Sequence, residues 1–191
     1  MTIKNNPENP KIGKVDGVHV WQMPTHPDLR GRLFKAYTAD DISIFPVPFN
    51  TYEHFFTESN KHVFRGMHFQ GHPHPVSKII SIVQGKAIDF LFDMRENSQT
   101  YGYLQILQLD EDNPISIFIP AGVAHGYLAL REKTILSYRM DGPFCGNCDD
   151  GFSGELVAEY LPIQFSTTIK SPRDATLIDY QNFRYLSGCD R

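Results

Sequence analysis

The sequence predicts an all-β fold, two layers of short strands packed as a sandwich or barrel, with a few short helices near the C-terminus. Three observations predict it. Short β-branched and aromatic runs follow one another along most of the chain, each bounded by glycine, proline or polar turn residues. That close spacing suits a sandwich or barrel and not alternating β/α units. The only clear helix start is Ser171-Pro172-Arg173-Asp174, where serine can cap, proline suits the first helical position and an acid suits the first turn. With 191 residues, 41% of them hydrophobic, residues 1–191 are expected to form one domain with enough apolar surface for a core.

Taken in order, the polar, proline-bearing residues 1–15 read as a loose N-terminal arm. Gly17–Met23 and Gly31–Tyr37 read as short strands joined by the turn-rich Pro24–Arg30. Asp28-Leu29-Arg30-Gly31-Arg32 gathers positive charge, either as solvated surface or as a clamp for a pyrophosphate. Ser43–Phe56 is aromatic and β-like, with prolines that favour edge strands. On a regular strand over Val63–Gln70, Phe64, Gly66, His68 and Gln70 share one face, and Val63, Arg65, Met67 and Phe69 the other. Arg65 and His68 can serve one pocket only if that strand bulges, and Gly66 is the residue that permits it. Ser77–Val83 and Lys86–Met94 form a pair about Gln84-Gly85. In the second of these, Ile88, Phe90, Phe92 and Met94 make a core face; Ala87, Asp89, Leu91 and Asp93 make a mixed one. Tyr101–Leu109, Ile115–Ile119, His125–Arg131 and Lys133–Met140 complete the series, Tyr138 facing either core or cavity.

Composition bounds the function. A net charge of −4 without a basic block or stripe argues against nucleic acid as a partner. No apolar run approaches the roughly 20 residues of a membrane span. The N-terminus lacks the apolar core of a signal peptide. The three cysteines fit a reducing cytoplasm, and Cys145-Gly146-Asn147-Cys148 has no second pair to complete a zinc site, so loop thiols are expected there.

The chemistry concentrates in Val63–Gly85. Gly66, His72, His74, Lys78 and Gly85 follow the spacing of the first metal-binding strand pair of a cupin. Lys78 stands where the anionic glutamate ligand normally stands. An ammonium group has no lone pair to donate and repels a divalent cation, so the frame is kept while no metal is expected. What remains is a candidate base, His68, and a fixed positive charge, Lys78. That pairing suits proton abstraction beside a carbonyl, with the lysine holding the enolate oxygen. Pro120-Ala121-Gly122-Val123-Ala124-His125-Gly126 supplies the P-x-G-x-x-H of the second cupin strand pair and would bring His125 across the barrel.

Arg65–Gln70 (RGMHFQ), Lys78, FDMRENSQTYG, IPAGVAHGY, Tyr138 and SPRD together resemble the dTDP-4-dehydrorhamnose 3,5-epimerase family, in order over about Gly17 to Asp179. The resemblance implies a cupin jelly-roll homodimer that uses no metal or other cofactor. It implies inversion of carbon 3, carbon 5 or both in a nucleoside-diphospho-4-keto-6-deoxy sugar, supplying deoxysugars for cell-surface polysaccharide such as lipopolysaccharide O-antigen. His68 falls on the family's catalytic base, Asp174 on the acid that orients it, and Tyr138 on the proton donor of the opposite face. Arg65, Lys78 and His125 fall on substrate-binding positions. Asp28-Leu29-Arg30-Gly31 matches a DxRG motif that carries Arg30 to the nucleotide of the partner subunit. The chemistry agrees. A 4-keto group acidifies the protons on carbons 3 and 5, and an imidazole, with a reference pKa of about 6.5, can take one if the enolate is stabilised.

Three departures from the family pattern stand out. Pro143-Phe144 replaces two tyrosines, which removes a hydroxyl near the sugar and puts one of the two inversions in doubt. Gly151-Phe152-Ser153-Gly154 replaces a tryptophan-bearing segment and leaves the packing of the C-terminal part open. Lys35 replaces a glutamate expected to accept the imide proton of thymine; a lysine can only donate, which matches cytosine better and points to a CDP-linked substrate. Taken with the missing hydroxyl, the alternative is a single-centre epimerase, at carbon 5 or carbon 3, on a CDP-linked 4-keto deoxysugar. Two rivals differ in class: a metal-dependent cupin dioxygenase or isomerase using His72, His74 and His125, and a non-catalytic sugar-binding cupin.

Overall fold

A computed structural model describes residues 10–43, 45 and 48–183. In chain order they form strands β1 (Lys11–Ile12), β2 (His19–Gln22), β3 (Thr25–Asp28) and β4 (Gly31–Phe34), helix α1 (Ala39–Ser43), and strands β5 (Glu53–Ser59), β6 (Phe64–Gln70) and β7 (Lys78–Gln84). Then come β8 (Lys86–Asp93), β9 (Tyr103–Asp110), β10 (Ile115–Ile119), β11 (Val123–Ala129), β12 (Thr134–Met140), β13 (Asp149–Gly151) and helix α2 (Pro172–Ala175). One sheet runs β1-β9-β8-β11-β6-β13 and the other β2-β10-β7-β12-β5. The chain crosses repeatedly between these sheets, as in the cupin jelly roll that the sequence predicts.

Period-2 patterning explains why the sheets stack. Between them lies an inner core that includes Ile80, Leu91, Ile117, Tyr127 and Leu136. The outer face of the six-stranded sheet carries a second core, in which Phe64, Phe90 and Phe92 meet Phe152, Phe165 and Tyr180 from the C-terminal segment. The face of β8 read as mixed is therefore buried too: Ala87 and Leu91 fill the inner core, and Asp89 is fully buried beside them. The short helix α2 begins as the sequence indicates, with the Ser171 side chain accepting from the Asp174 amide. The segment that replaces the family's tryptophan packs without it. Phe152 is fully buried against Phe92, Tyr180 and Phe183, and Gly151 lies so close to β6 that a Cβ there would sit 2.5 Å from the Met67 carbonyl oxygen.

Three expectations are corrected. Of the presumed loose arm, residues 1–9 lie outside the described residues, but Lys11–Ile12 pair parallel with β9, and Val15 is buried with its amide on Gln105. Backbone pairing and one apolar side chain outweigh the polar composition there. Pro24–Arg30 is not simply a connection, since Thr25–Asp28 pairs with Gly31–Phe34 in a hairpin turning at Leu29-Arg30. Ser43–Phe56 is a strand only from Glu53 onward. Its aromatic residues Phe45 and Phe49 instead cover the outside of the five-stranded sheet, packed on Phe118 and Ile79.

The expected bulge is present. Across β11, His125 faces His68 and Tyr127 faces Arg65, with a register shift between them, so Gly66 and Met67 together oppose Gly126. Gly66 sits at φ +125°, and a Cβ added there would lie 2.4 Å from the Gly126 Cα. Gly66→Ala is therefore expected to destabilise the fold by about 2 kcal/mol or more, from left-handed strain together with the clash. Chemical denaturation measures it; a midpoint indistinguishable from wild type would contradict this reading of the bulge.

Candidate active site

The bulge turns Arg65 and His68 to the same side, while Met67 between them enters the outer core. Both line a cavity of about 360 Å³ at one end of the barrel. Lys78 from β7, His125 from β11, Tyr138 from β12 and Asp174 from α2 line the same cavity. Six of the eight residues singled out in the sequence thus meet in one place. Arg30 and Lys35 do not: both are exposed on or beside the β3–β4 hairpin, and Arg30 forms an ion pair with Asp28. His72 and His74 are exposed on the loop after β6 and are not among the lining residues, so the ligand set of the metal-cupin rival is not assembled.

His68 Nε2 lies 2.7 Å from Asp174 Oδ1. An imidazole that donates from Nε2 keeps Nδ1 as its basic nitrogen. Burial pushes the Asp174 carboxyl up, but the hydrogen bond and charge of His68, the Gly66 amide and Arg173 outweigh it and hold the carboxyl below its usual range. Asp174 therefore remains an anion able to fix the imidazole and stabilise an imidazolium. Gly66 thus serves twice, permitting the bulge and helping to hold this carboxyl low.

Lys78 is almost fully buried, its ammonium donating to the His68 carbonyl at 3.3 Å. Burial lowers its pKa to about 8, against the opposing pull of Asp149 and Asp89. The charge is retained at neutral pH, close to where it would be lost. Tyr138 stacks parallel on Phe55, ring centroids 5.1 Å apart, and meets the His125 ring at 5.9 Å. Burial, with Tyr127 and Asp89, pushes its phenol well above the usual value, and Arg65 and Thr57 oppose that shift. Tyr138 thus stays protonated at neutral pH. Both alternatives left open by the sequence hold for it, since its ring closes the inner core and also lines the cavity.

Sequence reasoning missed Asp89. It is fully buried, its Oδ2 lies 2.6 Å from His125 Nε2, and its Oδ1 has no hydrogen-bond partner among the described residues. The available signal was an acid alternating with Ala87 and Leu91 on a strand between two cores. Asp149 and Arg173, paired at 2.6 Å, also line the cavity. Phe144, at a tyrosine position of the family, lines it too, with its amide donating to the Glu53 carboxylate. The loop thiols expected at Cys145 and Cys148 are instead joined as a disulfide, in a turn where the Cys148 and Asp149 amides both donate to the Cys145 carbonyl. Cys189, the third cysteine, lies outside the described residues.

Fold and cavity define a class: a cupin whose pocket holds a lysine and acid–base side chains where the metal frame would stand. The sequence profile of the dTDP-4-dehydrorhamnose 3,5-epimerase family matches residues 13–182, and the chain belongs to that family of isomerases. The dTDP-4-dehydrorhamnose 3,5-epimerase of Sinorhizobium fredii is 34% identical over 87 residues, covering 46% of this chain and 45% of that enzyme. The chain thus spans about half of that relative. The spore coat polysaccharide biosynthesis protein SpsL of Bacillus subtilis is 34% identical over 137 residues, covering 68% of this chain and 85% of that protein. The crystal structure of dTDP-4-dehydrorhamnose 3,5-epimerase from Sulfolobus tokodaii superposes with a TM-score of 0.77 at 28% identity, covering 86% of this chain and 90% of that one.

Nitrogen-detected NMR of lysine side chains should find Lys78 titrating near pH 8. A midpoint at the ordinary lysine value would show the ammonium to be better solvated than this cavity allows.

Proposed function

We propose that the chain inverts carbon 3, carbon 5 or both in a nucleoside-diphospho-4-keto-6-deoxy sugar by proton abstraction through an enolate. The observation that carries this reading is the meeting of the His68–Asp174 pair, the buried Lys78 ammonium and the Tyr138 phenol in one cavity. His68 removes the proton beside the ketone, Lys78 holds the enolate oxygen, and Tyr138 returns a proton to the other face. His125, anchored by Asp89, adds to the polar lining around the ketone, and Arg65 binds the substrate. A fixed charge and hydrogen-bond donors aimed at a developing oxyanion lower the barrier of such a step more than any other single effect.

The nucleotide of the family's name supports a dTDP-linked substrate. A CDP-linked substrate is the second reading, favoured by Lys35 at the position where an acceptor for thymine is expected. Arg30 stands exposed on a hairpin with Leu29 and Leu33, which supports a homodimer in which the hairpin reaches the partner's nucleotide. A soluble nucleotide-activated sugar fits a cytoplasmic enzyme, and the similarity to a spore coat polysaccharide protein supports a product destined for surface polysaccharide, as O-antigen would be.

Incubation in heavy water with dTDP- and CDP-linked 4-keto-6-deoxy sugars is expected to place deuterium at carbon 3, carbon 5 or both. His68→Asn should lower that exchange by a factor of about 10² or more. No exchange with either sugar by the wild-type protein would refute the reading. Sedimentation should give a dimer, and Arg30→Ala should raise KM with little change in kcat, the signature of lost ground-state binding; a fully active monomer would contradict the proposed hairpin exchange.

A further inference from the structure

The proposed function leaves one sequence motif unused: Cys145-Gly146-Asn147-Cys148, whose disulfide lies between β12 and β13. Residues 141–148 form no strand or helix, yet they carry one wall of the cavity. Gly142, Pro143 and Phe144 line it from before the disulfide, and Asp149 from just after it. The first half of this turn is held by side chains of neighbouring strands. Gln70 accepts from the Cys145 amide at 2.9 Å and donates to the Pro143 carbonyl at 3.1 Å, and the Phe144 amide donates to Glu53 at 3.0 Å. The second half is held elsewhere. The Gly71 amide donates to the Cys148 carbonyl at 2.8 Å, and the Asp149 carboxylate pairs with Arg173 at 2.6 Å. The disulfide and two amide bonds to the Cys145 carbonyl join the halves.

Burial shows what the cross-link contributes. Pro143, Phe144, Gly146 and Asn147 are exposed, and Cys148 is the only buried residue of 141–148. No large apolar side chain seats the turn, so the sulfur–sulfur bond ties its exposed first half to the one residue that is anchored. Cys145 is half-buried, which makes it the more accessible end for an incoming thiolate. The turn also reaches the acid–base pair by a short path. Asp149 directly follows Cys148, and its partner Arg173 directly precedes Asp174, which pairs with His68.

We propose that Cys145 and Cys148 form a thiol–disulfide exchange site, reduced by a dithiol, whose oxidation state sets the order of this cavity wall. The inference rests on the reading of the cavity as the ketosugar site. In the exchange, one thiolate of the dithiol attacks the Cys145 sulfur, the bond to Cys148 breaks, and Cys148 leaves as a thiolate that takes up a proton. The second thiolate of the dithiol then attacks its own partner sulfur in the mixed disulfide, closing the reductant's disulfide and releasing Cys145 as a thiol. Two electrons and two protons pass from the dithiol to the protein. The disulfide form keeps Phe144 and Asp149 in the wall, and the dithiol form loosens both.

Peptide mapping after alkylation should find Cys145 and Cys148 protected in protein kept with glutathione disulfide, and both alkylated after dithiothreitol. Reduction is expected to lower kcat/KM on the ketosugar about 10-fold, within the range that small misplacements in an active site produce. Reoxidation should restore it, and the Cys145→Ser/Cys148→Ser double variant should stay at the reduced level with either reagent. A second readout is the Lys78 ammonium. Burial holds its pKa down and Asp149 leads the charges that pull it back up, so loosening Asp149 should move the midpoint below about 8. That titration, followed in the ligand-free protein, needs no turnover and tests the exchange site even if the wild-type protein proves inactive on ketosugars. Free thiols at both positions in glutathione disulfide, or a Lys78 midpoint or kcat/KM unmoved by dithiothreitol, overturns the proposal.

Discussion

Everything at this site depends on two backbones approaching more closely than side chains permit. Gly66 and Gly126 face each other across β6 and β11, and a Cβ on either would collide with the other strand. Only that contact lets β6 take an extra residue, and only the extra residue brings Arg65 and His68 to one side. A regular strand would bury one of them in the outer core in place of Met67. The same glycine adds to the effects, His68 first among them, that keep the Asp174 carboxyl low.

Charge in a buried cavity has to be balanced, and here the balance is distributed between layers. Lys78 on one sheet is opposed by Asp89 and Asp149 on the other, and Asp174 is held anionic by His68, Gly66 and Arg173. A lone buried ammonium would lose its proton more readily; these carboxylates limit that loss. Tyr138 is shifted in the opposite sense, kept protonated by burial and by neighbouring acidic groups. The cavity therefore holds a buried cation, an imidazole paired with an anion and a neutral phenol, an arrangement suited to moving protons between two faces of one carbon.

Much of this was legible in the chain. Period-2 runs located β6 to β12 because those strands bury at least one face, and the RGMHFQ and P-x-G-x-x-H segments carried Arg65, His68 and His125 at fixed offsets. Asp174 was legible through its helix start, where serine, proline and acid each satisfy a local requirement of the first turn. What escaped depends on partners distant in sequence. Asp89 looks like any polar residue on a mixed strand face until His125 arrives beside it. Phe45 and Phe49 read as strand residues by propensity, but the contact with Phe118 decides their place.

The central claim is that two groups on facing walls of one cavity handle the proton of a single carbon. Substitution of Tyr138 by Phe in heavy water tests it most directly, with stereochemistry and isotope content read on the same product. The account predicts that Tyr138→Phe still exchanges the proton beside the ketone, through His68, while the configuration at that carbon is retained. Inversion at the wild-type rate by this variant would contradict it.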